Sequence, residues 1–222
     1  MATLLYNRFF ISFELVILTL IVSLLFSIPL GIIAALYQNS IIDYISMGIG
    51  ITGVSIPTFF SAVLFIAIFS VRLDVLPVSG YVAPTKDLVA NLRHMILPVM
   101  TMTLVAVAVT MRMMRSSMLE TLGEEYIRFL KAKGLQRRSV LFGHALKNSF
   151  ISVITVIGLQ FGYMLSGAVV VEQIFAIPGL GRTIVSAVLQ RDYPLVQGTV
   201  LLLALWFATV NLITDLIIAY LD

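Results

Sequence analysis

FELVILTLIVSLLFSIPLGIIAALY runs from Phe13 to Tyr37, and Glu14 is its only charged residue. A helix needs about 20 mostly apolar residues to cross the hydrocarbon core of a bilayer, and this run has 25. Four more such runs follow, at Tyr44–Val71, Met95–Met114, Phe150–Val171 and Leu195–Leu221. They are too long to be short buried strands. Strands of a membrane barrel alternate over about ten residues, and these runs do not alternate. The expected fold is an all-α, polytopic transmembrane domain of five spans, with residues 1–222 forming a single domain.

Composition and charge agree. Of the 222 residues, 60% are hydrophobic and 11% charged, against about 25% charged in soluble domains. Mean hydropathy is +1.07. Cysteine is absent, which excludes a disulfide framework and a thiolate metal site. Net charge is +3, and eight of the fourteen Lys and Arg residues lie between Arg112 and Lys147. Long apolar flanks make this a membrane topology signal rather than a nucleic-acid surface, so membrane lipid is an expected partner and nucleic acid is not. Such a basic loop marks the cytoplasmic side. Residues 115–149 are therefore expected inside, together with Gln38–Asp43 and the C-terminus. Arg72–His94 and Glu172–Pro194 are expected outside. This alternation leaves residues 1–12 outside without the layout of a signal peptide, so at least one further span is expected ahead of Met1.

Within the basic loop, EEYIRFLKAKGLQRRSVLFGHALKNS spans Glu124–Ser149. Glu124 and Glu125 suit a helix N-terminus, and Glu124 and Arg128 are four apart in the favourable order. Tyr126, Phe129, Leu130 and Lys133 recur at helical spacing, with Ile127 on a neighbouring line. Lys131 and Lys133 followed by Gly134 form a stop signal. A second helix is expected from an N-cap at Ser139 toward the next span. A helix–Gly–helix segment of this kind can receive a push from a soluble partner. The alternative is a solvated loop whose cations only set topology.

This stretch resembles the EAA loop of ABC-importer permease subunits, in the version found in the dipeptide, oligopeptide and nickel transport group. YIRFLKAKGL and LFGHALKNS carry the likeness, as does GAVVVEQIFAIPGLGRTIVSAVLQRDYPLVQG from Gly167 to Gly198. Arg128, Phe129 and Leu130 stand where the general pattern has Glu-Ala-Ala. The resemblance covers nearly the whole chain. It implies a six-span subunit of a prokaryotic plasma or inner membrane, of which the C-terminal five spans are present here. It implies a coupling loop built on Glu124, Glu125, Arg128, Phe129, Leu130, Ala132 and Gly134. It further implies a second permease subunit forming a heterodimer, an extracytoplasmic substrate-binding protein and two cytoplasmic ATPase subunits. ATP and Mg would be used by those ATPases, with no cofactor bound by this chain.

Other motifs weigh less. PGLGRT (Pro178–Thr183) fails the P-loop pattern, because Ala176 stands where its first glycine belongs and Arg182 replaces its lysine. Gly179 and Gly181 are read as turn residues. The following TIVSAVLQ reads as a short helix, lying at the surface or dipping into the membrane. His94 and His144 fall on opposite expected sides, so they form no metal site together. Met100, Met102, Met111, Met113, Met114 and Met118 read as packing residues. No protease or hydrolase signature is present.

Polar residues within spans are functional candidates by default. Pro57 is expected to kink its span, with Thr58 and Ser61 beside it, and Gln160 sits near mid-span. These four are the candidate pathway-lining residues. An interhelical hydrogen bond accounts equally well for Gln160. Thr101, Thr103, Asn211 and Asp215 are weaker candidates, Asp215 being expected near the cytoplasmic end.

The expected function is the membrane subunit of an ATP-driven importer of di- or oligopeptides or related small solutes. A nickel or glutathione importer of the same group is the alternative. A secondary transporter would need acidic residues at mid-membrane, and an intramembrane enzyme would need a catalytic pair. Neither is found in the sequence, and the chain itself is not expected to be an enzyme.

Overall fold

A computed structural model describes residues 2–221. Among them are eight α-helices: α1 (Ala2–Leu36), α2 (Ile41–Ser55), α3 (Thr58–Phe65), α4 (Leu88–Gly123), α5 (Glu125–Ala132), α6 (Leu146–Ile174), α7 (Leu180–Gln190) and α8 (Tyr193–Leu221). Two π-helical stretches extend them. Ile66–Arg72 continues α3, and Ser139–Ala145 leads into α6.

Four continuous helices are long and apolar enough to span a membrane, at Thr3–Leu36, Leu88–Gly123, Ser139–Ile174 and Tyr193–Tyr220. They correspond to the expected runs beginning at Phe13, Met95, Phe150 and Leu195, each extended at its polar ends. Helix geometry tolerates charge once a side chain reaches the interface, so hydropathy underestimates length. The run Tyr44–Val71 differs more. Instead of one kinked helix it is two, Ile41–Ser55 and Thr58–Arg72, bent by 101°. Pro57 has no N–H to donate and disfavours helix in the residue before it, and Ile56 accordingly turns extended (φ −83°, ψ 120°). The expected coupling loop 115–149 also shortens, because α4 carries helix through to Gly123.

Helix α4 is the central post. Gly31 on α1 lies so close that a Cβ there would come within 2.7 Å of the Met114 Cβ and 2.8 Å of the Met111 carbonyl. On α2, a Cβ at Gly53 would come within 2.9 Å of the Leu104 carbonyl. On the far side of the bundle, α8 is seated against Gly158 and Gly162 of α6. Thr214 and Phe207 occupy the space that side chains there would need. These two form a G-x-x-x-G pair, the spacing that lets membrane helices approach closely. The methionines fill the remaining space, and Met95, Met111, Met114 and Met118 are all buried.

Among the described residues, one ion pair locks the bundle. The Asp43 carboxylate is held bidentately by Arg115, at 2.5 Å from Nε and 2.7 Å from Nη2. Asn39, in a left-handed conformation (φ 61°), turns its N–H onto the same carboxylate at 3.0 Å. This pair ties the turn between α1 and α2 to α4. The Asp43 side chain is only 3% exposed. Removing one partner of a buried pair strands the other charge. Arg115→Ala is therefore expected to cost about 3 kcal/mol, seen as a lower thermal-unfolding midpoint in detergent. Replacing both residues by apolar ones should recover most of the loss.

Candidate functional site

The residues after α4 build a short projecting arm. Glu124 is extended (φ −62°, ψ 147°) and starts α5, with Glu125 in its first turn. The helix closes in a Schellman motif. The Leu135 N–H donates to the Leu130 carbonyl at 3.3 Å, and the Gly134 N–H donates to the Lys131 carbonyl at 3.0 Å. This geometry needs a left-handed residue at the junction, and Gly134 supplies it with φ 83°. No heavy atom lies within 4 Å of where its Cβ would be, so backbone conformation rather than space selects the glycine.

The arm is fixed to two long helices. Ile127 is fully buried and packs with Met114, Met118, Val140, Ala145 and Val153. Ser149 of α6 donates to the Ala145 carbonyl at 2.8 Å and lies 3.1 Å from the Thr121 hydroxyl of α4. Ser117 donates to the Ser149 carbonyl at 3.1 Å. Asn148 donates to the Tyr126 hydroxyl at 2.7 Å. Ile127 packing and the Asn148–Tyr126 bond thus join α5 to α4 and α6, and the Ser117–Ser149–Thr121 bonds join α4 to α6.

The outward face of the arm is different. Phe129 is 58% exposed and Phe142 62% exposed. Arg128, Lys131, Ala132, Lys133, Arg137 and Arg138 are also exposed, and the Lys133 ammonium sits 4.5 Å from the Phe129 ring centroid. Leu130 is half-buried and faces the arm's own core. Two sequence expectations change here. Among the described residues Arg128 makes no ion pair with Glu124. Ser139 is not an N-cap, because helical hydrogen bonding already begins with the Val140 N–H donating to the Gln136 carbonyl at 3.1 Å.

A second feature is a groove of about 410 Å³ between α3, α4 and α6. Thr58, Met102, Ala106, Gln160, Tyr163 and Met164 line it. Gln160 is pinned to α4: it accepts from the Thr110 hydroxyl at 2.7 Å and donates to the Ala106 carbonyl at 2.9 Å. It is thus an interhelical bond and a groove residue at once. Thr58 joins it there. Pro57 sits exposed at the elbow before α3, and Ser61 is buried, donating to the Thr58 carbonyl at 2.9 Å. Asn211 and Asp215 lie on α8 and do not reach the groove. His94 lies near the start of α4 and His144 in the π-helical stretch before α6, and the His94 ring nitrogen lies 2.7 Å from the Ala90 carbonyl.

At the end of the bundle away from the arm, the sequence reading missed a polar network. Glu14 accepts from the Tyr81 hydroxyl and from Asn91, both at 2.7 Å, and Asn91 also donates to the Val82 carbonyl at 2.8 Å. These bonds staple the loop before α4 onto α1. Burial first, then the adjacent Glu14 carboxylate, pushes the Tyr81 phenol above its ordinary range. Because the folded state raises it, the protonated phenol stabilises the fold at neutral pH, and that contribution is lost as alkaline pH ionises it. In an ultraviolet titration one tyrosine should ionise later than the rest, and Tyr81→Phe should remove that late step.

Glu172 was also missed. It is fully buried at the end of α6, against the PGLG turn. Neither Gly179 nor Gly181 uses a left-handed conformation: Gly179 is the extended residue (φ −93°, ψ −169°) at the bend before α7, Gly181 lies in the first turn of α7, and among the described residues only Gly80 and Gly134 are glycines of positive φ. They are close-approach glycines. The Glu172 carboxylate fills the space beside Gly179, and a Cβ at Gly181 would lie 3.0 Å from the Val169 side chain. An unpaired acid in an apolar run, seven residues before a G-x-G, was the available signal.

Comparison with known proteins gives these features a context. Residues 27–222 match the family described as the binding-protein-dependent transport system inner membrane component. The chain is 41% identical to the dipeptide transport system permease protein DppB of Escherichia coli K12, over 95% of this chain and 69% of that protein. It is 38% identical to the DppB of Alkalihalophilus pseudofirmus, over the same shares. Among solved structures, it superimposes on a chain of the inward-facing MetNI methionine ABC transporter. The TM-score is 0.76 and the identity 14%, covering 100% of this chain and 98% of that one. A chain of an amino acid ABC transporter aligns with a TM-score of 0.73 and 12% identity, over 99% and 94%. At such low identity these structures speak for the fold. The family match and the permease relatives together carry the assignment: the chain belongs to the inner-membrane components of binding-protein-dependent transport systems.

Proposed function

We propose that this chain is the membrane-spanning permease subunit of an ATP-driven importer for di- or oligopeptides. The observation that carries the reading is the arm at Glu124–Leu146. It is a short helix with exposed aromatic and cationic side chains, joined to two spanning helices by the packing of Ile127 and the Asn148–Tyr126 bond. The peptide class follows from the DppB relatives, whose names specify dipeptide transport. In this reading residues 1–222 act as one transmembrane domain and pair with a second permease subunit. Two cytoplasmic ATPases hold ATP and Mg and carry out the hydrolysis. An external binding protein delivers the solute. The arm and the C-terminus face the cytoplasm.

The mechanism follows from the connections. A cytoplasmic ATPase closing on its nucleotide displaces whatever seats Phe129 and Phe142. Arg128, Lys131 and Lys133 set the register of that contact, while Glu124, Glu125 and Gly134 hold α5 helical and correctly ended. Since Ile127 packs α5 onto α4 and α6, Asn148 bonds it to α6, and Ser149 holds α4 to α6, the push becomes a rigid-body tilt of those helices. The groove lies between these same helices and α3, so the tilt changes its width. Thr58 and Gln160 would offer passing solute the groove's polar contacts, and the break at Pro57 would let α3 move apart from α2.

Two experiments test this. Proteoliposomes holding this chain with its partner permease, ATPases and binding protein should take up dipeptide only when ATP is supplied. Uptake driven by a proton or sodium gradient alone would overturn the reading. Gly134→Pro forbids the left-handed junction and should abolish uptake while membrane insertion persists. Gly134→Ala should cost only about 1 kcal/mol of backbone strain and retain most uptake. Normal uptake by the proline variant would remove the arm from the mechanism.

A further inference from the structure

The far end of α6 carries a second clamp, built on a residue with no part in the mechanism above. Glu172 is fully buried, and Ser12 of α1, at 2% exposure, donates to its Oε1 at 2.5 Å. The same Ser12 oxygen accepts from the Leu180 N–H at 2.8 Å, and the Arg182 N–H donates to Glu172 Oε2 at 2.9 Å. Helix α7 begins at Leu180, so Glu172 and Ser12 between them take up N–H groups of its first turn. Those groups have no partner within a helix. Two arginines brace the turn from outside. Arg8 donates to the Pro178 carbonyl, and Arg182 to the Ala176 carbonyl, both at 2.8 Å. The Ile177 N–H returns to the Glu172 carbonyl at 2.9 Å.

The clamp determines what α7 can do. Beyond its first turn α7 exposes Val188 and Leu189, at 57% and 80%, and ends in a left-handed Arg191 (φ 58°). It is a short amphipathic helix, and Glu172 joins its start to α6. The helical run Ser139–Ile174 therefore has the Ser149 lock near its beginning and Glu172 near its end, about 35 Å apart at 1.5 Å per residue.

We infer that Glu172 is a positioning residue that makes α7 move as one body with α6, so that an event on the α7 face and a displacement of the arm are mechanically linked. The inference rests on the importer reading for its physiological meaning, since the event on the α7 face would then be arrival of the loaded binding protein. The linkage itself rests on the hydrogen bonds. Every bond the Glu172 carboxyl makes is one it accepts. An alanine there leaves the Ser12 hydroxyl and the Arg182 N–H without that partner and opens a void beside Gly179. A glutamine keeps one acceptor oxygen for the Arg182 N–H and can turn its amide toward the Ser12 oxygen.

The test uses the assembled transporter with its ATPases and binding protein. The absence of native cysteine allows spin labels at Thr155→Cys on α6 and Gln190→Cys on α7, both exposed. With Glu172 in place, the distance between labels should be narrowly distributed. Glu172→Ala should broaden it. The same variant should keep basal ATP hydrolysis and lose about tenfold of the stimulation by loaded binding protein, and Glu172→Gln should restore part of both. A merely structural role would lower basal and stimulated hydrolysis together and would refute the linkage. So would a narrow distribution with normal stimulation in Glu172→Ala. If that variant fails to assemble, Ser12→Ala decides, a broadened distribution supporting the linkage and an unchanged one refuting it. Wild-type complex that ignores loaded binding protein would instead count against the importer reading, leaving the distance measurement to judge the clamp.

Discussion

In hydrocarbon, apolar side chains gain little by leaving lipid for one another, so steric fit and polar contacts must hold a helix bundle together. Here that fit is the approach of α1 and α2 to α4 and of α8 to α6. At Gly31 and Gly53 the two nearest opposing atoms are a backbone carbonyl oxygen and a Cβ atom of α4, which cannot swing aside as a side-chain tip can. The same holds beside Gly158, where Thr214 closes in from its Cβ outward. Methionine takes up what space is left, its unbranched side chain adapting to the gap. With α4 held in this way, everything attached to its two ends inherits a defined position.

At one end that inheritance is the arm. Its buried anchor is a single isoleucine, backed by the serine and threonine contacts between α4 and α6. Its exposed face keeps two phenylalanines among cations. At the other end Glu14 and Glu172 each gather hydroxyl and amide donors from separate segments. Both acids lie within apolar helices and neither faces lipid unsatisfied, as the cost of burying a polar group requires. The polar network thus sits at the ends of the helices, and the middle of the bundle is left to packing, the Thr110–Gln160 bond and the groove.

Several features of α5 were legible because they depend on neighbours in sequence. Glu125 in the first turn, the helical spacing of apolar residues and Gly134 at the end are all local, and a Schellman motif spans only six residues. The Glu124–Arg128 pair was not formed, since an exposed ion pair gains too little to hold two flexible side chains. Ser139 failed as a cap because the chain before it was already helical. Gln160 stood out in the sequence as a polar residue at mid-span, but whether it bonded across helices or faced a groove depended on Thr110, fifty residues away, and it does both.

By itself the sequence determined the class of fold and its four continuous spans, because the length and apolarity a bilayer demands are properties of a continuous segment. It also determined the end of α5, because only a glycine meets that backbone angle without strain. The tertiary structure alone decided the 101° elbow at Pro57, since a proline in a span can kink a helix or end it, and neighbouring helices choose. It alone decided that Arg115, Tyr81 and Ser12, from 67 to 160 residues away, come to Asp43, Glu14 and Glu172. It alone also decided the meaning of Gly179 and Gly181. In sequence they read as a turn. In the folded chain Gly179 is room for the Glu172 carboxylate and Gly181 for the close approach of Val169, requirements that exist only once α6 and α7 have met.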